Sequence, residues 1–133
     1  MPSFLSPLLV APSAAWAIRN ARTQHLLADR LETAFDSLSR RRGLLGRDGL
    51  DQGTALIIAP CSSIHMFFMR FPIDVVFAGR DGRIVRICHT LRPWRIAFGR
   101  GAYAAIEMPP GALSRGDRRG DYLEVVRVDA ADG

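Results

Sequence analysis

The sequence predicts a mainly β (α+β) domain, a small barrel-like roll of antiparallel strands with one short helix. Three observations carry this. Short apolar or alternating runs recur after residue 50, set apart by Gly, Pro and Asp-Gly turn signals. Only one stretch, between residues 25 and 42, has helical spacing. At 133 residues, 48% hydrophobic and 23% charged, the chain suits one domain with its own core and excludes disordered and collagen-like classes.

Taken in order, the N-terminal stretch Phe4–Ala17 (FLSPLLVAPSAAWA) is apolar and ends in Ala15-Trp16-Ala17, a small-x-small pattern like a leader cleavage site. No positive charge precedes it, Pro7 and Pro12 interrupt it, and it falls short of the ~20 apolar residues that span a bilayer. Residues 1–14 are therefore expected to be a disordered or signal-like extension, 15–128 a single domain, and 129–133 a tail. The expected location is cytoplasmic, or exported if Phe4–Ala17 is a signal peptide. Ala15–Asn20 alternates weakly and reads as a first strand, followed by a polar turn.

Residues 25–42 place Leu27, Leu31, Ala34, Phe35 and Leu38 at helical spacing, which argues for one amphipathic helix. Thr33 or Asp36 could instead cap a shorter helix over the second half. Either way Arg40-Arg41-Arg42 suit a helix C-terminus, and Gly43 is a natural stop. Gly53–Pro60 is a buried strand with a Pro terminator. Ile73–Ile87 is a hairpin, its two β-branched runs flanking Arg80-Asp81-Gly82. Ala102–Met108 is a strand ended by two prolines and a glycine, and Gly120–Val128 alternates as a last strand.

Five segments, RRRGLLGRDGL, PCSSIHMFFMRFPIDVVF, LRPWR, AIEMPPG and GDYLEV, stand in an order and spacing that resemble the DUF192 family, also called UPF0127. The resemblance runs from about Trp16 to Val126. It implies a barrel-like, predominantly β domain, with a strand at about Gln24–Glu32 and a helix at about Ala34–Arg42 in place of one long helix. It brings no catalytic residue with it, because fold does not fix function. Many relatives look as if they carry Thr where this chain has Met66, so a hydroxyl role there would not apply.

The basic balance is wholly arginine: 18 basic residues, no lysine, net charge +5. Only Arg40–Arg42 and Arg118-Arg119 are runs, so an arginine-driven nucleic-acid surface is the third-ranked reading. Two cysteines, Cys61 and Cys88, are too few for a disulfide scaffold. Cys61, His65, Met66, Met69, Cys88 and His89 are soft or borderline metal ligands. Extended, Cys61 and His65 would lie about 13 Å apart, too far for one ion, and adjacent Cys88 and His89 would face opposite ways. No metal site and no cofactor is assigned. In the plainer account of residues 61–69, Ile64, Met66 and Phe68 pack one face of a strand, and His65, Phe67 and Met69 the other.

Two carboxylates pose a sharper question. Asp74 and Glu107 sit inside apolar strands, where a carboxylate needs a partner or solvent. Arg70 and Arg95 are the candidate partners. The preferred reading is a non-catalytic binding or accessory module with a polar mouth of His65, Arg70, Asp74, Trp94, Arg95 and Glu107, gripping a small anionic molecule or a peptide. The alternative is a small hydrolase or transferase using Cys61 as nucleophile, His65 as base and Asp74 as orienter. Arg115-Gly116-Asp117 is an ordinary turn composition, and Gly43–Arg47 lacks the Lys-Ser/Thr of a phosphate loop.

Overall fold

A computed structural model describes residues 2–128, so the expected tail at 129–133 lies outside the described residues. The elements are α1 (Ser6–Val10), β1 (Trp16–Asn20), β2 (Leu26–Ala28), β3 (Arg30–Ala34), α2 (Ser37–Arg42), β4 (Thr54–Ile58), β5 (Ser63–His65), β6 (Ile73–Ala78), β7 (Ile84–Leu91), β8 (Ile96–Phe98), β9 (Ala104–Met108) and β10 (Leu123–Arg127). The mainly β class holds. The strands form a five-stranded sheet in the order β3-β4-β9-β6-β7, a three-stranded sheet β10-β1-β2, and a two-stranded flap β5-β8. Every pairing is antiparallel except β3 with β4, which is parallel and departs from the all-antiparallel expectation.

The stretch with helical spacing is where the sequence misleads. Its first half is two strands, β2 and β3, which change sheets at Asp29. There the N–H groups of Asp29 and Arg30 both donate to Gly53 O at 3.0 Å. Pairing with β4 captures Arg30–Ala34, and this tertiary ladder overrides the local period. The helix begins only after Asp36, whose carboxylate accepts the Ser39 N–H at 2.8 Å as an N-cap. It is therefore shorter than the Ala34–Arg42 expected, and Leu38, which the helical stripe would have buried, is 77% exposed.

At the opposite edge, an isolated bridge between Arg83 and Tyr122 brings the start of β7 against the start of β10. Ile84 N donates to Asp121 O and Leu123 N to Gly82 O, each at 2.8 Å. The sheets thus roll almost shut around one core without forming a closed barrel. That core holds Ile18, Leu27, Ile57, Val76, Ile84, Ile106, Met108 and Leu123. A second core lies on the other face of the five-stranded sheet, under the flap, and holds Leu56, Ile58, Ile64, Met66, Met69, Val75 and Phe77.

Within residues 2–14 the N-terminal stretch lies against the first core. Phe4 N donates to Arg80 O at 2.8 Å, α1 follows, and Leu5 and Leu8 are buried in the first core. Trp16 Nε1 donates back to Ala11 O at 2.8 Å. An apolar stretch without charge finds a hydrophobic face to cover. The helix count is accordingly two rather than one among the described residues, and no helix there is long and apolar enough to cross a membrane.

A buried polar knot fastens the ends of the roll. Asn20 Nδ2 donates to Asp117 and Asp121, each at 2.9 Å, and Arg22 clamps Asp121 at 2.7 Å and 2.9 Å. The Arg22 guanidinium holds the Asp121 carboxyl well below its ordinary range. Asp117 of the Arg-Gly-Asp tripeptide is buried here and accepts the Ser114 N–H, as a turn residue should.

Gly82 turns the β6–β7 hairpin at φ +86°, and a Cβ there would stand 2.4 Å from Leu123 O and 3.3 Å from Phe4. Gly101 has a similar φ of +77° but nothing within 4 Å. Gly82→Ala should cost upwards of ~2 kcal/mol, against about 1 kcal/mol of backbone strain for Gly101→Ala, read from paired urea melts.

Candidate functional site

Strand alternation sets which side of the five-stranded sheet each carboxylate faces. On β9, Ile106 and Met108 enter the first core, while Ala105 and Glu107 face the second. On β6, Ile73, Val75 and Phe77 face the second core, so Asp74, Val76 and Ala78 face the first. Asp74 and Glu107 therefore point to opposite faces of one sheet.

Asp74 is 1% exposed and fully engaged with backbone. It accepts from Thr90 N at 2.8 Å on one oxygen, and from Gly111 N at 2.9 Å and Leu113 N at 3.1 Å on the other. It ties the end of β7 and the double-proline loop after β9 to the middle of the sheet. Its predicted partner Arg70 lies elsewhere, 61% exposed and paired with Asp48 at 2.7 Å. Arg95 and Trp94 are exposed at the turn before β8. The expected polar mouth is thus taken apart, and only His65 and Glu107 of its six residues line a common cavity.

That cavity is a cleft of about 400 Å³, within the range of small-molecule sites. Its apolar walls are Leu44, Leu45, Ile58, Ile64, Met66 and Met69. Arg40, Arg41 and Arg42, from the last turn of α2, stand on its rim, and Cys61, Ser62, Ser63 and His65 form the opposite lip. Arg40 Nη1 is engaged with Phe35 O at 2.9 Å, while Arg41 and Arg42 are exposed.

Glu107 also lines this cleft, 6% exposed, and its carboxyl makes no hydrogen bond or ion pair among the described residues. Burial pushes its pKa up from 4.5 to about 7, opposed by the field of Arg47. Arg47 itself is committed to Glu32 through bonds of 2.8 and 3.1 Å. A carboxyl that is half protonated near neutrality can donate or accept according to what enters the cleft.

Cys61 shares the cleft but not the machinery of a nucleophile. Its Sγ donates to Ser63 O at 3.1 Å, and burial raises its thiol above the ordinary value. Asp74, its expected third partner, is on the other face of the sheet. His65 stacks on Phe67 at 5.0 Å between ring centres. Among the described residues no three His, Cys, Asp or Glu side chains gather as metal ligands.

Alternation along residues 61–69 also departs from a single strand. Only Ser63–His65 is extended, and the chain turns at Met66–Met69, where Phe68 takes φ +64° and Met69 N donates to Met66 O. Ile64, Met66 and Met69 are buried together as a result, and His65 and Phe68 face out. The rim arginines were visible in the sequence only as a helix end. No local signal connects them to Glu107, 65 positions or more along the chain, because the sheet makes that junction.

Comparison with known proteins bears on the family and the fold. The model of the family DUF192, described as "Uncharacterized ACR", matches residues 18–125. A "UPF0127 protein" of Thermococcus sibiricus is 32% identical over 108 residues, which are 77% of this chain and 65% of that protein. The match thus spans just under two-thirds of that relative's length. A solved structure from Sinorhizobium meliloti 1021, named a "putative transcription regulator", superposes with TM-score 0.71 at 23% identity, over 84% of this chain and 92% of that one. A protein of unknown function from Novosphingobium aromaticivorans does so with TM-score 0.67 at 24% identity, over 83% of each chain. At these identities the structural likeness is one of fold.

Two stability predictions follow from the carboxylates. Asp74→Ala leaves three N–H groups without their acceptor and should cost about 3 kcal/mol or more in a denaturant melt. For Glu107 the folded carboxyl holds its proton to about 7 and the unfolded one only to about 4.5. The stability contributed by that proton is fully present below 4.5 and lost as pH rises through 7, a difference of roughly 3 kcal/mol. Glu107→Gln should therefore flatten the pH dependence of the melting temperature across this window, with its gain over the parent largest on the alkaline side.

Proposed function

This chain belongs to the DUF192 family, and we propose that it is a non-catalytic binding module whose ligand is a small anion with an apolar body. The observation that carries the proposal is Glu107, a largely buried carboxyl that opens into a cleft also lined by Arg40, Arg41 and Arg42. Among the described residues no fully buried side-chain oxygen lacks a hydrogen-bond partner, so the Glu107 carboxyl reaches solvent through the cleft, and a ligand atom there would take the place of water. The six apolar wall residues suit a short hydrocarbon or ring, and Arg41 and Arg42 suit the charge at the entrance. The cleft's volume of about 400 Å³ suits a small molecule better than an extended peptide.

Proton linkage gives this reading a direction. Ionised Glu107 would repel an anion and, at the same time, present only acceptors. Protonated Glu107 is neutral and can donate. Affinity for an anion should rise as pH falls through about 7. The enzymatic alternative through Cys61, His65 and Asp74 has no comparable support, because Asp74 spends both oxygens on backbone N–H groups.

The test uses hexanesulfonate, whose own charge does not change in this range, with methanesulfonate as the probe lacking the apolar body. Calorimetric titration should show hexanesulfonate binding more tightly, by about tenfold or more, with affinity rising from alkaline to mildly acid buffer. The paired substitution Arg41→Gln/Arg42→Gln should weaken it severalfold, and Glu107→Gln should remove the pH dependence. Equal binding of both sulfonates, or a pH dependence that survives Glu107→Gln, would refute the proposal.

A further inference from the structure

Among the described residues, the outer face of the flap and its adjoining turns carry four exposed large apolar side chains. Pairing of β5 with β8 turns Ile64 and Ala97 inward, and so turns Ser63, His65, Ile96 and Phe98 outward. Phe98 is 63% exposed, Ile96 50%, and the neighbouring Trp94 and Phe68 60% and 74%. Phe68 and Trp94 meet edge to face at 4.9 Å. Both hold positive φ, +64° and +69°, a conformation uncommon for bulky side chains. Met66 N donates to Arg95 O at 2.7 Å and Trp94 N to Met66 O at 2.8 Å, and these bonds pin the two turns that present the rings.

The surroundings of this patch are basic. Residues 82–106 contain five arginines and no acidic residue, and residues 60–73 contain Arg70 and no acidic residue. Arg92, Arg95 and Arg100 are exposed. Arg86 donates to Phe98 O, which places a further cation at the patch edge, while Arg70 is paired with Asp48. Protruding Trp, Phe and Ile within a collar of cations match an anionic bilayer surface, where the apolar tips enter below the headgroups and the guanidinium groups meet phosphates.

We infer that the β5–β8 flap docks this protein on anionic lipid membranes, inserting Phe68, Trp94, Ile96 and Phe98. A single-stranded nucleic acid is less well matched. It stacks on ring faces, and here Phe68 and Trp94 turn an edge to a face, His65 and Phe67 stack on one another, and Ile96 has no ring. This inference stands apart from the cleft, since none of Phe68, Trp94, Ile96 and Phe98 lines it.

The test is co-sedimentation of the full chain with vesicles of phosphatidylcholine alone and of phosphatidylcholine mixed with phosphatidylglycerol. Binding to the anionic vesicles is expected, weakened by salt. Phe68→Ser and Trp94→Ser should each reduce it by about tenfold or more. Arg92→Gln and Arg95→Gln should each reduce it by about fivefold. Leu38→Ser, at a site 77% exposed on α2, should leave it unchanged. In a Trp16→Phe chain, acyl-brominated lipid should quench Trp94 emission. A chain that stays in the supernatant overturns the inference. So does binding indifferent to Phe68→Ser and Trp94→Ser, unquenched Trp94, or retention of a single-stranded oligonucleotide through these residues without vesicle binding.

Discussion

Both faces of the five-stranded sheet are covered, and this constraint decides where each side chain of β4, β6 and β9 must go. One face closes on the three-stranded sheet and α1, the other on the flap. A strand buried on both faces cannot send a misfit side chain to solvent. The apolar majority on these strands needs no special provision. The two carboxylates do, and the molecule treats them in opposite ways.

Asp74 is provided for completely. Three backbone N–H groups supply the hydrogen bonds that water would give, so its burial also fixes the end of β7 and the double-proline loop after β9. Glu107, two strand spacings across the sheet from β7 and on its other face, has no such supply. Arg47 lies close enough to be felt but spends its donors on Glu32. Had Arg47 turned inward, Glu107 would be half of an ordinary buried ion pair. What remains is a carboxyl held near the neutral range by burial, beside a space large enough for a small molecule.

The sequence showed the parts that obey local rules. Asp81-Gly82 marked the hairpin, the runs at 53–60 and 102–108 became β4 and β9, and Asp36 capped the helix that follows it. It misled where long-range pairing overrode a local period: Leu27, Leu31 and Ala34 have helical spacing, yet β3 is held by a parallel neighbour more than twenty residues away. The candidate site was half legible for the same reason. That Asp74 and Glu107 needed partners could be read from their apolar neighbours. Which partners they took depended on the register of β6 against β9, where Val75 stands opposite Glu107 and Asp74 opposite Met108. A one-residue shift in that register would have put both carboxylates on the same face.

The flap extends this logic to a segment covered on one side only. Within Ser63–His65 and Ile96–Phe98 the inward positions, Ile64 and Ala97, are buried and apolar, so the outward positions are the ones a soluble surface would fill with charge. On β5 they hold Ser63 and His65, but on β8 they hold Ile96 and Phe98, and the two adjoining turns hold Phe68 and Trp94 in backbone conformations that glycine or asparagine would adopt at lower cost. The Phe68 and Trp94 rings gain one contact with each other, at 4.9 Å. Exposed apolar side chains gain nothing from burial, and positive φ at an aromatic residue is a strain that surrounding bonds must offset. The same fifteen residues, Pro60 to Asp74, therefore contribute a lip of the cleft through residues 61–65 and one exposed ring, Phe68, at the turn beyond it. A requirement for packing accounts for Ile64, Met66 and Met69, while Phe68 stays 74% exposed with its ring against Trp94.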